Sequence, residues 1–139
     1  MPARFLMLFS LAACAAAHAQ SLEPGEWEIR STTTSPLTPQ GQSAVFRHCL
    51  TQADAENPEG WMARQSEKGP CTLTPGERTA EGMEWDVSCP RTNMHGRGSA
   101  TITGPGTVES EVRMTTELQG YRFRMHTRAS ARRLGPCKS

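Results

Sequence analysis

An all-β fold is what this sequence predicts: an antiparallel meander of about seven strands, curled into a half-barrel or an up-and-down barrel, with one short helical excursion. Three observations lead there. Val108 to Ala131 has the two-residue alternation of one long hairpin closing at Gln119-Gly120. Shorter alternating runs, separated by Gly and Pro, recur upstream. An even set of cysteines follows an export leader, the framework usual in a small secreted domain.

In the hairpin, setting Leu118 opposite Tyr121 pairs Thr116 with Phe123, Met114 with Met125, Val112 with Thr127, Ser110 with Ala129 and Val108 with Ala131. That face is apolar or small. The alternate positions pair Glu117 with Arg122, Thr115 with Arg124, Arg113 with His126 and Glu111 with Arg128, a solvated face with opposite-charge partners. A slip by one residue would bury the arginines, so the pattern fixes its own register. Gly120 supplies the positive φ that a two-residue turn needs.

The chain opens with the plan of a secretory signal over residues 1–19: Arg4, an apolar run from Phe5 to Ala17, and the small-residue site Ala17-His18-Ala19. The run is too short for a permanent membrane span. Cleavage after Ala19 leaves residues 20–139 as a single disulfide-linked β domain, expected in the periplasm. A competing reading takes Leu11-Ala12-Ala13-Cys14 as a lipoprotein box, with Cys14 acylated and the protein tethered to a membrane. A signal ending before Cys14 would be unusually short, which favours the soluble form.

The pattern Glu26-Trp27-Glu28-Ile29-Arg30 is a half-buried first strand with Trp27 and Ile29 inward and charge outward. Ser35 to Gln42 holds two prolines and a glycine and reads as a loop before a second strand at Ser43 to Leu50. Thr51 is placed to cap a short helix that Pro58 ends, with a second helical piece over Glu59 to Gln65 from which Trp61 or Met62 covers the sheet. Pro90 to Gly96 is a polar connection, and Arg97 to Thr103 is a strand with Ala100 and Ile102 inward, Ala100 opposite Ser110.

Cys49, Cys71, Cys89 and Cys137 remain in the exported chain, and four cysteines allow three connectivities. Register favours one. If Cys71 to Pro75 pairs antiparallel with Trp85 to Cys89, Leu73 faces Val87 and Cys71 faces Cys89, which leaves Cys49 for Cys137. No Cys-x-x-Cys spacing supports zinc.

Without Arg4 the mature chain carries equal numbers of basic and acidic groups. Its halves differ: residues 20–89 hold 5 basic and 11 acidic groups, residues 90–139 hold 9 and 3. Basic strands beside acidic ones explain this within one fold, and a neutral chain lacks the charge of a nucleic-acid binder. The strip Arg122, Arg124, Arg128 could meet lipid phosphates or an acidic partner, although Glu111 and Glu117 are placed to neutralise two of its members.

Chemistry is thinly written. No nucleophile elbow, phosphate loop or His-Glu-x-x-His motif occurs, no cofactor is implied, and the expectation is that the chain is not an enzyme. The carboxylate pairs Glu26 with Glu28 and Glu84 with Asp86 read as solvated strand charge. Met94-His95 suggests a weak copper site, since thioether and imidazole suit that ion. Trp27, Trp85, Met114, Phe123 and Met125, with Ile102, would line the interior of a curled sheet, the kind of cavity that takes a hydrophobic ligand.

Four pieces also carry a family likeness: Pro24-Gly25-Glu26-Trp27-Glu28-Ile29, Cys49-Leu50-Thr51, Trp85-Asp86-Val87-Ser88-Cys89 and Arg132-Arg133-Leu134-Gly135-Pro136-Cys137. Through them the chain resembles the small exported bacterial proteins grouped as domain of unknown function 3617. The resemblance implies an exported domain and carries no activity to transfer. The expected role is therefore a binding or interaction module for a hydrophobic small molecule, a lipid or an envelope protein. A structural or stress-protective periplasmic protein without a small ligand is the alternative.

Overall fold

The computed structural model describes residues 21–138; the leader and Cys14 lie outside the described residues. Seven strands form a single antiparallel sheet: β1 (Gly25–Ser35), β2 (Thr38–Leu50), β3 (Thr72–Arg78), β4 (Gly82–Cys89), β5 (Met94–Gly104), β6 (Thr107–Leu118) and β7 (Tyr121–Gly135). Two short helices, α1 (Gln52–Glu56) and α2 (Pro58–Lys68), occupy the connection from β2 to β3.

The β6–β7 hairpin has the register that alternation demands, from Leu118 opposite Tyr121 to Val108 opposite Ala131. Its turn uses two left-handed residues, Gln119 at φ 52° and Gly120 at φ 80°, the pair of positive φ values that matches the twist of the flanking strands. Ala100 lies opposite Ser110, and Leu73 opposite Val87, so one apolar face runs from β7 through β6, β5 and β4 to β3.

Strand order across the sheet is β2-β1-β7-β6-β5-β4-β3, and the sheet is not closed. This is the order of an up-and-down barrel opened between β2 and β3, because β1 pairs with β7. The seam lies at the one connection that is not a short turn. There α2 packs on β3, and its Trp61 ring meets His48 of β2 with centroids 5.7 Å apart. α2 thus lies at the gap between β2 and β3, which do not pair.

Several boundaries differ from the sequence reading. The turn between β1 and β2 is only Pro36-Leu37, and β2 starts at Thr38 rather than Ser43. An edge strand tolerates Pro39 and Gly41, because its outer side has no neighbour to hydrogen-bond. β5 begins at Met94, immediately after Asn93 in the left-handed region. The second helical piece is longer than Glu59–Gln65, running over Pro58–Lys68, while Thr51 and Asn57 cap the two helices by accepting from the backbone N–H of Asp54 and Gly60. Pro58 breaks the first and starts the second, where its missing N–H costs nothing.

Two cysteine pairs are bonded. Cys71–Cys89 ties the start of β3 to the end of β4, and Cys49–Cys137 ties the end of β2 to the segment after β7. The buried apolar set is small: Trp27, Val87 and Cys89 from the sheet, Ala55 and Met62 from the helices. None of the described large side chains is fully buried. A single sheet with two short helices has no second layer to press against most of its apolar face.

Candidate functional site

The apolar face is the first candidate. Alternation puts Trp27, Trp85, Met114, Phe123 and Met125 on the same side of the sheet, on β1, β4, β6 and β7. Met114 and Met125 are direct cross-strand partners, and Phe123 sits one pair away opposite Thr116. Trp27 is buried, while Trp85, Met114, Phe123 and Met125 are all half-buried. On β2 the same face continues into Phe46, opposite Ile29, which is 52% exposed.

Local sequence explains how the tryptophans sit. Trp27 turns back along the chain, its indole N–H donating to the Glu23 carbonyl at 3.0 Å. Trp85 lies opposite Gly98, and a Cβ added at that glycine would run into the indole ring. Gly98 is buried beneath it, so the absence of a side chain on β5 is what lets a tryptophan on β4 lie flat along the sheet. At the seam, the ring nitrogens His48 Nε2 and Trp61 Nε1 are buried with no hydrogen-bond partner among the described residues.

The opposite face is polar and has its own relief. Two shallow grooves of about 530 and 640 Å³ run across β2, β1, β7 and β6 and share Thr34 and His126. Arg113 and Arg124 line the first, Arg30 and Arg128 the second. Register alone predicts Glu111 against Arg128 and Glu117 against Arg122, and those residues are cross-strand partners. The ionic contacts run elsewhere. Glu111 meets His126 Nε2 at 2.9 Å and Arg113 at 3.2 Å, and the His126 hydrogen bond leads in holding its carboxyl below the usual range. Arg122, Arg124 and Arg128 form no salt bridge among the described residues.

Glu28 corrects the sequence reading most clearly, because it is not solvated strand charge. It is 6% exposed and sits under three arginines from three strands: Arg30 at 2.9 Å, Arg132 at 3.2 Å and Arg47 at 3.5 Å. The Arg30 hydrogen bond, helped by Arg132, lowers its pKa against the opposing cost of desolvation. Glu26 is half-buried, and Glu84 and Asp86 are exposed. Sequence could have found the Glu28 cluster only through the β1–β7 pairing, which brings Arg132 beside it.

Met94 lies at the start of β5 in register with Cys89 and Thr116, half-buried, whereas His95 is exposed. Neighbouring strand residues project to opposite faces, so the thioether and the imidazole leave β5 in opposite directions. Among the described residues no group of three His, Cys, Asp or Glu side chains is placed to hold a metal.

The likeness of the four sequence pieces extends over the whole fold. The family described as Protein of unknown function (DUF3617) matches residues 22–137, from the residues before β1 to the last cysteine. The chain belongs to the DUF3617 family. No curated protein and no solved structure matches it. For this DUF3617 chain, the matched span includes both cysteine pairs, all seven strands and the seam with its helices.

Proposed function

We propose that this DUF3617 protein is an exported, non-catalytic binding module whose apolar sheet face takes a hydrophobic small molecule or the acyl chain of a lipid. The observation that carries the reading is the half-exposed set Trp85, Met114, Phe123 and Met125 on one face of a sheet that is neither closed nor covered by a second layer. Methionine and aromatic side chains suit such a surface, because flexible thioethers adapt to ligand shape while the rings supply area. The leader supports delivery to the periplasm, where a carrier or sensor of apolar molecules would work.

The test uses a long-chain fatty acid and the tryptophans already present. Titration of the purified protein should change tryptophan emission saturably, and Met114→Lys should weaken binding at least tenfold while circular dichroism stays sheet-like. Absence of a saturable change, or equal affinity in the Met114→Lys protein, would overturn the reading.

A second reading rests on the polar face: Arg124 and Arg128 of β7, without ionic partners among the described residues, line the two grooves. Guanidinium groups in that setting suit phosphate or carboxylate groups of an anionic surface. Co-sedimentation with phosphatidylglycerol vesicles, lost in an Arg124→Ser, Arg128→Ser protein, supports it; unchanged binding by that variant removes it.

A further inference from the structure

The two edges of the sheet differ in length, charge and cover. β3 is guarded by the means that proteins use against stray strand pairing: it is 7 residues long, contains Pro75 and Gly76, shifts register between Pro75 and Arg78, ends in charge, and has α2 packed on it. β2 carries its irregularities at one end only: Pro39, Gly41 at φ 83° and the register shift opposite Thr33–Ser35 lie there, and from Gln42 to Leu50 its pairing with β1 is regular. It is 13 residues long, pairs only with β1, and is exposed along most of its length, with Val45 at 56% and Phe46 at 52%. Its only charged side chain is Arg47. A long, weakly charged, apolar edge beside a carefully blunted one is the pattern of an interface rather than of a neglected end.

We propose that β2 pairs antiparallel with β2 of a second copy about a two-fold axis through Val45, forming a homodimer with one continuous sheet. The strand's own sequence argues for a second copy as its occupant. A two-fold normal to the sheet keeps each face on its own side, so only residues of equal parity can pair. Centred on Val45, that rule sets Val45 against Val45, Ala44 against Phe46, Ser43 against Arg47 and Gln42 against His48. Apolar meets apolar at the middle, and the lone arginine faces a serine rather than its own copy. Pro39, which lacks an N–H, and Gly41, at φ 83°, both fall outside the regular block Gln42–His48 that this register pairs. The same register carries the Pro36-Leu37 turn, where Leu37 is 82% exposed, toward the partner's Gln52–Glu56 helix. This inference concerns the edge of the sheet and stands apart from the ligand reading of its face.

Sedimentation of the purified protein at micromolar concentration should give twice the monomer mass. Val45→Lys sets two ammonium groups against each other on the axis and should weaken the dimer at least tenfold without changing the circular dichroism spectrum. Val45→Cys should cross-link spontaneously into a covalent dimer under mild oxidation, whereas Ser43→Cys, displaced along the strand from its own copy, should not. A monomer at all concentrations overturns the proposal, as does a dimer that Val45→Lys leaves intact. Equal cross-linking at both cysteines overturns the register, and a monomer that pairs only with an added extended peptide assigns the edge to another occupant.

Discussion

Glu28 and Arg132 meet at 3.2 Å although 104 residues separate them in sequence. Their contact stitches β1 to β7, and with Arg30 and Arg47 it neutralises a carboxylate that the sheet has withdrawn from water. Because Arg30 first, and Arg132 with it, hold the pKa of Glu28 below its ordinary 4.5, the unfolded chain binds the proton more readily than the folded one. Stability from this cluster is therefore present above pH 4.5 and is lost as pH falls through the lower folded value. Urea midpoints should fall on acidification below pH 4.5, and Glu28→Gln should lower the neutral-pH midpoint while flattening the acid dependence. An unchanged acid slope in the variant would contradict this assignment.

The β6–β7 hairpin was legible because its two faces, read independently, demand one register, and a local turn with Gly120 brings them together. The pairing of β1 with β7 was not. Nothing near Trp27 or Arg133 in sequence names the other, since long-range strand order is a matter of closing loops and covering apolar surface. Burial of Glu28 followed from that pairing and was hidden with it. On the candidate site, alternation correctly placed Met114, Phe123 and Met125 on one face, but it does not report coverage. The openness of that face comes from the seam between β2 and β3, and the seam comes from helices whose packing no two-residue pattern encodes.

Gly98 and Trp85 form a pair in which one residue is the absence that the other requires. Gly98→Ala would push a methyl into the indole and force the ring off the sheet, an overpacking change expected to cost about 1 to 3 kcal/mol. Thermal denaturation should show the loss. A Gly98→Ala, Trp85→Leu double variant should recover part of it, because the smaller side chain on β4 leaves room for the new methyl.

The two disulfides should differ in worth. Cys49–Cys137 closes a separation of 88 residues and Cys71–Cys89 one of 18, so loop entropy predicts losses of roughly 4 to 5 and roughly 3 kcal/mol on removal. Serine pairs at each site, compared by urea unfolding, should rank in that order. A reversed order would mean that local packing around Val87 and Cys89, both buried, outweighs the chain-entropy difference.

Met114 and Met125 separate stability from binding. A fully buried methionine truncated to alanine costs about 2 to 5 kcal/mol. These two are half-buried on a face without a second layer, so little cavity is created when either is shortened. Met114→Ala and Met125→Ala should each cost only about 1 kcal/mol in urea unfolding, in proportion to the apolar area they lose. Their effects should not simply add, since the pair is in direct cross-strand register. In the fatty-acid titration the double variant should lose affinity by tenfold or more. A large stability loss with unchanged affinity would mean that the thioethers are core, packed against their neighbours, and that the ligand surface lies elsewhere.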